Sequence, residues 1–194
     1  MWDVPDVRLV AGGASVFQLF ALIGFYMSTE PNLSVSHVLA CNEGMCVAFT
    51  IVVSLLAYFQ FLNLTFYFVG YSPRGSDVQQ TGVMATFFSA WMLSLTLRYT
   101  IGSGPHVTVA TLFIGSYLLA IFMQQYQDIG RTRMSLFTLG LFLSVLVVLA
   151  AWGYTRNHGL EWLAWGIITV VQCLLNLPIR MPYERAQMCQ FSQI

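Results

Sequence analysis

Residues 45–71 read MCVAFTIVVSLLAYFQFLNLTFYFVGY, a run without one charged side chain. At a rise of ~1.5 Å per residue, about 20 such residues cross a hydrocarbon layer ~30 Å thick as an α-helix. The run is long enough to do so. Working outward, five further segments share its character: 9–27, 81–102, 107–126, 134–154 and 162–178. Their apolar residues are continuous rather than alternating, which predicts helices instead of barrel strands. The expected fold is therefore all-α: a polytopic transmembrane helical bundle of six spans, forming one domain over 1–194.

The gaps between segments carry turn chemistry. Ser72-Pro73-Arg74-Gly75 ends the second span, and Gly102-Ser103-Gly104-Pro105 makes a tight hairpin between the third and fourth. Asp128-Ile129-Gly130-Arg131 and Arg156-Asn157-His158-Gly159 close the next two gaps. The first segment is long for a signal peptide and has no small-x-small cleavage site after it, so it is expected to be retained.

Composition agrees with this reading. The chain has 194 residues, 57% hydrophobic and 8% charged, whereas a soluble domain carries about a quarter charged residues. So few charges cannot cover a water-facing surface, and lipid is the solvent that fits. The eight basic residues, all arginine, balance eight acidic ones. With no net charge and no basic cluster, nucleic acid is excluded as an expected partner. A polybasic lipid-binding tail is missing too.

Arginine also sets the expected orientation. Six spans place Arg8, Arg74, Arg131, Arg133, Arg180 and Arg185 on one side, and Arg98 and Arg156 on the other. The arginine-rich side is the inner one, so both termini are expected there. The loop after the first span then faces outward, where Cys41 and Cys46 are candidates for a disulfide. Asn32-Leu33-Ser34 in the same loop is a glycosylation sequon at Asn32. Trp152, Tyr154, Trp162 and Trp165 bracket the last outer loop and read as interfacial anchors.

An ionisable residue inside the membrane is the usual pointer to function, and none falls at mid-span. That argues against a carboxylate-based ion pump. Arg98, near the outer end of the third span, reads as a snorkelling side chain, or as an anion or lipid-phosphate contact aided by His106. Uncharged polar groups are more telling. Gln60 and Asn63 are three apart on the second span, while Gln172 and Asn176 are four apart on the sixth. Each pair shares a helical face, and both lie in the inner half. Amides in lipid seek partners, so the second and sixth helices are expected to meet there. Small residues recur at four-residue spacing, as in Ala11/Ser15, Ala85/Ser89, Thr111/Gly115 and Gly140/Ser144, which predicts close helix packing.

Other chemistry has no constellation here. His37, His106 and His158 all fall in outward loops in this topology, none at paired helical spacing, so neither haem nor metal is expected. The chain has no phosphate loop, nucleophile elbow or HExxH motif, and no cofactor or catalytic residue is called. Cys173 reads as a small packing residue. Three functions remain. The leading one is a structural, assembly or accessory component that associates with other membrane proteins, or with itself, through helix faces. The alternative is a channel or facilitator for a small neutral or anionic solute. An intramembrane enzyme acting on lipid comes last, for want of a nucleophile–base pair. The purified chain is expected to need detergent to stay dispersed and to give a helical circular-dichroism spectrum. Free water solubility or a strand spectrum would overturn the whole reading.

Overall fold

The computed structural model describes residues 4–28, 34–35, 38, 44–72, 75–99, 103–128 and 134–176. These form six helices: α1 Val4–Ser28, α2 Gly44–Tyr71, α3 Asp77–Thr96, α4 Gly104–Asp128, α5 Met134–Thr155 and α6 His158–Asn176. Among the described residues there is no strand, so the fold is an all-α helical bundle. Four stretches are long and apolar enough to cross a membrane: Val47–Gly70, Gly104–Gln127, Leu136–Thr155 and His158–Asn176. The apolar run of α1, Gly12–Met27, is shorter. The α3 helix falls below that threshold because it carries Gln79, Gln80, Thr81, Thr86, Ser89, Ser94 and Thr96.

Helix ends depart from the expected spans where capping groups act. The third helix starts at Asp77 rather than 81, because Ser76 caps it and accepts the Gln79 N–H at 3.2 Å. It stops at Thr96 rather than 102, and the amides of Arg98 and Tyr99 turn back to the Leu95 carbonyl at 3.0 and 3.2 Å. Ser103 starts α4 by accepting the His106 N–H at 3.3 Å. Pro105 fits this first turn, where an amide would have no helical partner. The α5–α6 turn needs only Arg156 and Asn157. Arg156 takes the left-handed conformation (φ 57°) and donates to the Trp152 carbonyl at 2.8 Å. The Asn157 side chain then accepts the Gly159 N–H at 2.9 Å, opening α6.

Each helix packs on its neighbours in sequence, and α6 returns to α1, so the six close into a ring. The α3–α4 hairpin has the most extensive contact, while α2 also touches α4 across the interior. Two buried apolar clusters fill the ring. The larger joins Phe61, Leu64 and Phe68 of α2 to Phe113, Tyr117 and Ile121 of α4 and to Ile168 and Val171 of α6. The smaller gathers Leu22, Phe25, Phe49 and Trp162 with Val35 and Val38. Trp162 thus belongs to the core and not to an interfacial belt, being stacked 6.4 Å from Phe25. Trp165 likewise stacks on Phe113 at 5.8 Å, whereas Tyr154 is exposed as an anchor would be.

The distribution of side chains is inverted relative to a water-soluble bundle. Phe17, Phe20, Leu55, Phe66, Phe87 and Trp91 face outward, while Gln60, Gln124, Gln125 and Gln172 are buried. That distribution is the one expected of helices long and apolar enough to cross a membrane. Small residues follow the same logic only in part. Ala85 and Ser89 sit in the α3–α4 seam, where the Ser89 hydroxyl bonds that of Ser116 at 2.9 Å. Thr111, Gly115 and Gly140 face outward, so that spacing marks a smooth face without saying which way it turns.

Gly82 lets α3 approach α2. A Cβ there would stand 2.5 Å from ring carbons of Phe68, which is fully buried and has nowhere to retreat. Gly82→Ala is expected to cost about 1–3 kcal/mol through overpacking, read as a lower unfolding midpoint in denaturant titration in mild detergent. An unchanged midpoint would mean that this contact is looser than the geometry indicates.

Candidate functional site

The apolar faces of α1, α2, α4 and α6 are interrupted on their inward side by amides and hydroxyls. On α2, Gln60 donates to the Ser15 hydroxyl of α1 at 2.6 Å. One turn on, Asn63 donates to the Asn176 side-chain carbonyl of α6 at 2.9 Å. Gln172, one turn back along α6, hydrogen-bonds the Tyr117 hydroxyl of α4. The backbone of α1 joins the same layer, since a Cβ on Gly12 would lie 3.6 Å from the Asn176 carbonyl oxygen. The Cys173 thiol reaches the Gly12 carbonyl at 3.8 Å. Because each of these residues lies within about a turn of the next on its helix, and a turn rises ~5.4 Å, they form one compact polar knot.

A second layer lies nearer the end where α2 and α4 finish. The Tyr67 hydroxyl approaches the Gln124 backbone carbonyl at 3.5 Å, and Ser72 donates to the Gln127 side chain at 2.6 Å. Gln125 donates to the Thr138 carbonyl of α5 at 3.4 Å. Gln124 and Gln125 are 2% and 1% exposed. Amides are therefore enclosed along the whole half of the bundle that includes the start of α1 and the ends of α2, α4 and α6.

These bonds do not satisfy every polar atom. The side-chain oxygens of Gln18, Gln125 and Gln172, and the side-chain nitrogen of Gln124, are buried with no protein partner. A buried polar atom left unpaired costs about 1–3 kcal/mol. Native interiors retain such atoms where water or a ligand meets them.

The four amides read from the sequence as a cluster are all buried, and the second and sixth helices touch through Asn63 and Asn176. Gln60 and Gln172 instead pair with α1 and α4. Ser15, Gln18, Tyr117, Gln124 and Gln125 are additions made by the fold. For Gln18, Gln124 and Gln125 a sequence signal was present, as amides in or beside apolar runs, but Ser15 and Tyr117 carried no such mark, and only packing shows that they face one interior.

The other candidates do not converge. Arg98 lies beyond the end of α3 and is exposed. His106 was expected in a solvated loop, yet it sits in the first turn of α4, 5% exposed, with both ring nitrogens lacking a protein partner. It occupies the same inward stripe as Phe113 and Tyr117. Glu161 is buried in the first turn of α6, 3.8 Å from His158. Among the described residues no group of three or more metal-ligating side chains occurs. Asn32, His37, Cys41 and the side chain of Cys46 lie outside the described residues.

A double-mutant cycle with leucine at Asn63 and Asn176 is expected to show coupling of about 0.6–1.7 kcal/mol. Each single change strands a buried amide, while the double change strands none. Strictly additive effects would show that the two do not interact.

No protein-family model, curated protein or solved structure matches this chain.

Proposed function

We propose that this chain is a six-crossing membrane protein that takes up a small, uncharged, polar solute in its amide-lined interior, as a facilitator or carrier does. Both chain ends lie on the inner side of the membrane in this reading. The arginine asymmetry supports that orientation. The outward Phe17 and Phe20 of α1, and the outward Met84, Phe87 and Trp91 of α3, support lipid contact for the two less apolar helices.

The observation that carries the solute reading is the set of unmet amides at Gln18, Gln124, Gln125 and Gln172. Amides that served only to join helices would be selected for complete pairing, because every unmet atom works against stability. Residues that break a local rule without structural gain are characteristic of functional positions. The absence of an ionised group from the polar knot favours a neutral solute, since a bare ion would have no countercharge to offset its dehydration.

A second reading, an accessory component of a membrane complex, rests on the aromatic stripe of α3. Phe88 and Trp91 pack edge to face with ring centroids 6.1 Å apart, on a helix whose outer face also presents Met84 and Phe87. A membrane-protein partner retained on purification in mild detergent would favour it.

The two readings diverge on a leucine test. Gln18→Leu removes an unmet oxygen, so thermal stability in detergent is expected to stay level or rise, whereas Gln172→Leu also strands the buried Tyr117 hydroxyl and is expected to lower it. Flux of glycerol or urea into liposomes containing only this protein is expected to fall by roughly tenfold, the effect of losing about one hydrogen bond. Absence of glycerol and urea flux from the unaltered protein would remove the solute reading and leave the accessory one.

A further inference from the structure

Three of the four helices that build the polar knot, α1, α2 and α6, change character along their length. Toward the start of α1 and the ends of α2 and α6 they present Ser15, Gln18, Gln60, Asn63, Gln172 and Asn176. Toward the opposite end the same inward faces present Leu22 and Phe25 of α1, Phe49 of α2 and Trp162 of α6. Phe25 stacks on Phe49 with centroids 4.0 Å apart, and Trp162 lies 6.4 and 6.1 Å from the two. Val35 and Val38, from between α1 and α2, are buried against this stack. Beside it, Trp165 and Phe113 stack across α6 and α4. At the opposite end buried polar groups continue, through Gln124 and Gln125 to Ser72 and Asn176, beside the apolar Leu64, Phe68 and Ile121 of the larger cluster.

From this asymmetry we infer that the polar interior is reached from the end of the bundle at which α1 begins and α2 and α6 end, and that the Phe25–Phe49–Trp162 stack closes it at the other end. A polar molecule moving along the amides keeps hydrogen-bond partners at each step. One moving past three packed rings meets mainly apolar surface, and must first separate them. The stack is therefore the barrier, and passage through the protein requires it to open. This inference rests on the solute reading of the interior.

The test uses the full-length chain with Cys41, Cys46, Cys173 and Cys189 replaced by serine, and a single cysteine introduced as Ser15→Cys. Reconstituted in liposomes, it is exposed on one face at a time to a charged, membrane-impermeant methanethiosulfonate. A protease-sensitive tag at the chain's end reports which face is which. Labelling is expected to be at least about tenfold faster from the face bearing the start of α1, since reaction from the other face waits on a local opening. Phe49→Ala in the same background should raise the slow rate toward the fast one. Phe25→Leu serves the same purpose should Phe49→Ala elute as an aggregate. Equal rates from both faces, a faster rate from the aromatic face, or no labelling from either would each overturn the inference, as would ring variants that leave the slow rate unchanged. The two claims also fail separately. Sided labelling without glycerol or urea flux removes the solute reading and leaves the access path, while flux with two-sided labelling does the opposite.

Discussion

A polar group surrounded by hydrocarbon has no water to fall back on, and the bundle is organised around that constraint. Backbone amides meet it within each helix, which is why helices alone appear among the described residues. Threonine and serine side chains meet it by donating to the carbonyl four residues back, as Thr86, Ser89 and Thr169 do. Side-chain amides are too long and too polar for that solution. They must turn toward other helices, and the pairs Gln60–Ser15 and Asn63–Asn176 show how this draws α1, α2 and α6 together.

The same constraint sorts the two faces of each helix. In α4, Leu112, Leu119 and Phe122 point out while His106, Tyr117 and Gln124 point in. Apolar burial drives such a structure weakly, because lipid tails are as apolar as leucine. Close fit must do more, and the seat of Phe68 over Gly82 and the aromatic stacks around Trp162 and Trp165 supply it. Between α1, α2 and α6 the bundle is thus ring-packed at the end of Phe25, Phe49 and Trp162 and amide-lined toward the other.

That division carries the functional argument. Full pairing of the interior amides was open to this chain through ordinary substitutions to leucine, yet atoms of Gln18, Gln124, Gln125 and Gln172 have no protein partner. An interior that is polar, uncharged and incompletely paired suits a guest that brings both donors and acceptors.

Much of this was legible in the chain itself. Segments such as 45–71 are too long and too free of charge for any soluble element, so helical character and approximate bounds follow from composition and length alone. The helix ends were less legible, because Ser76, Ser103 and Asn157 act through local bonds that shift a boundary by a few residues. The rotational setting of a helix was legible only where an amide pair marked a face, as on α2 and α6. A run that is apolar all round carries no periodic mark of its inner face, so Thr111 and Gly115 could turn outward while His106 and Glu161 turned in. Only tertiary packing, in which every amide on α1, α2, α4 and α6 competes for the few partners in a shared interior, decided which residues meet.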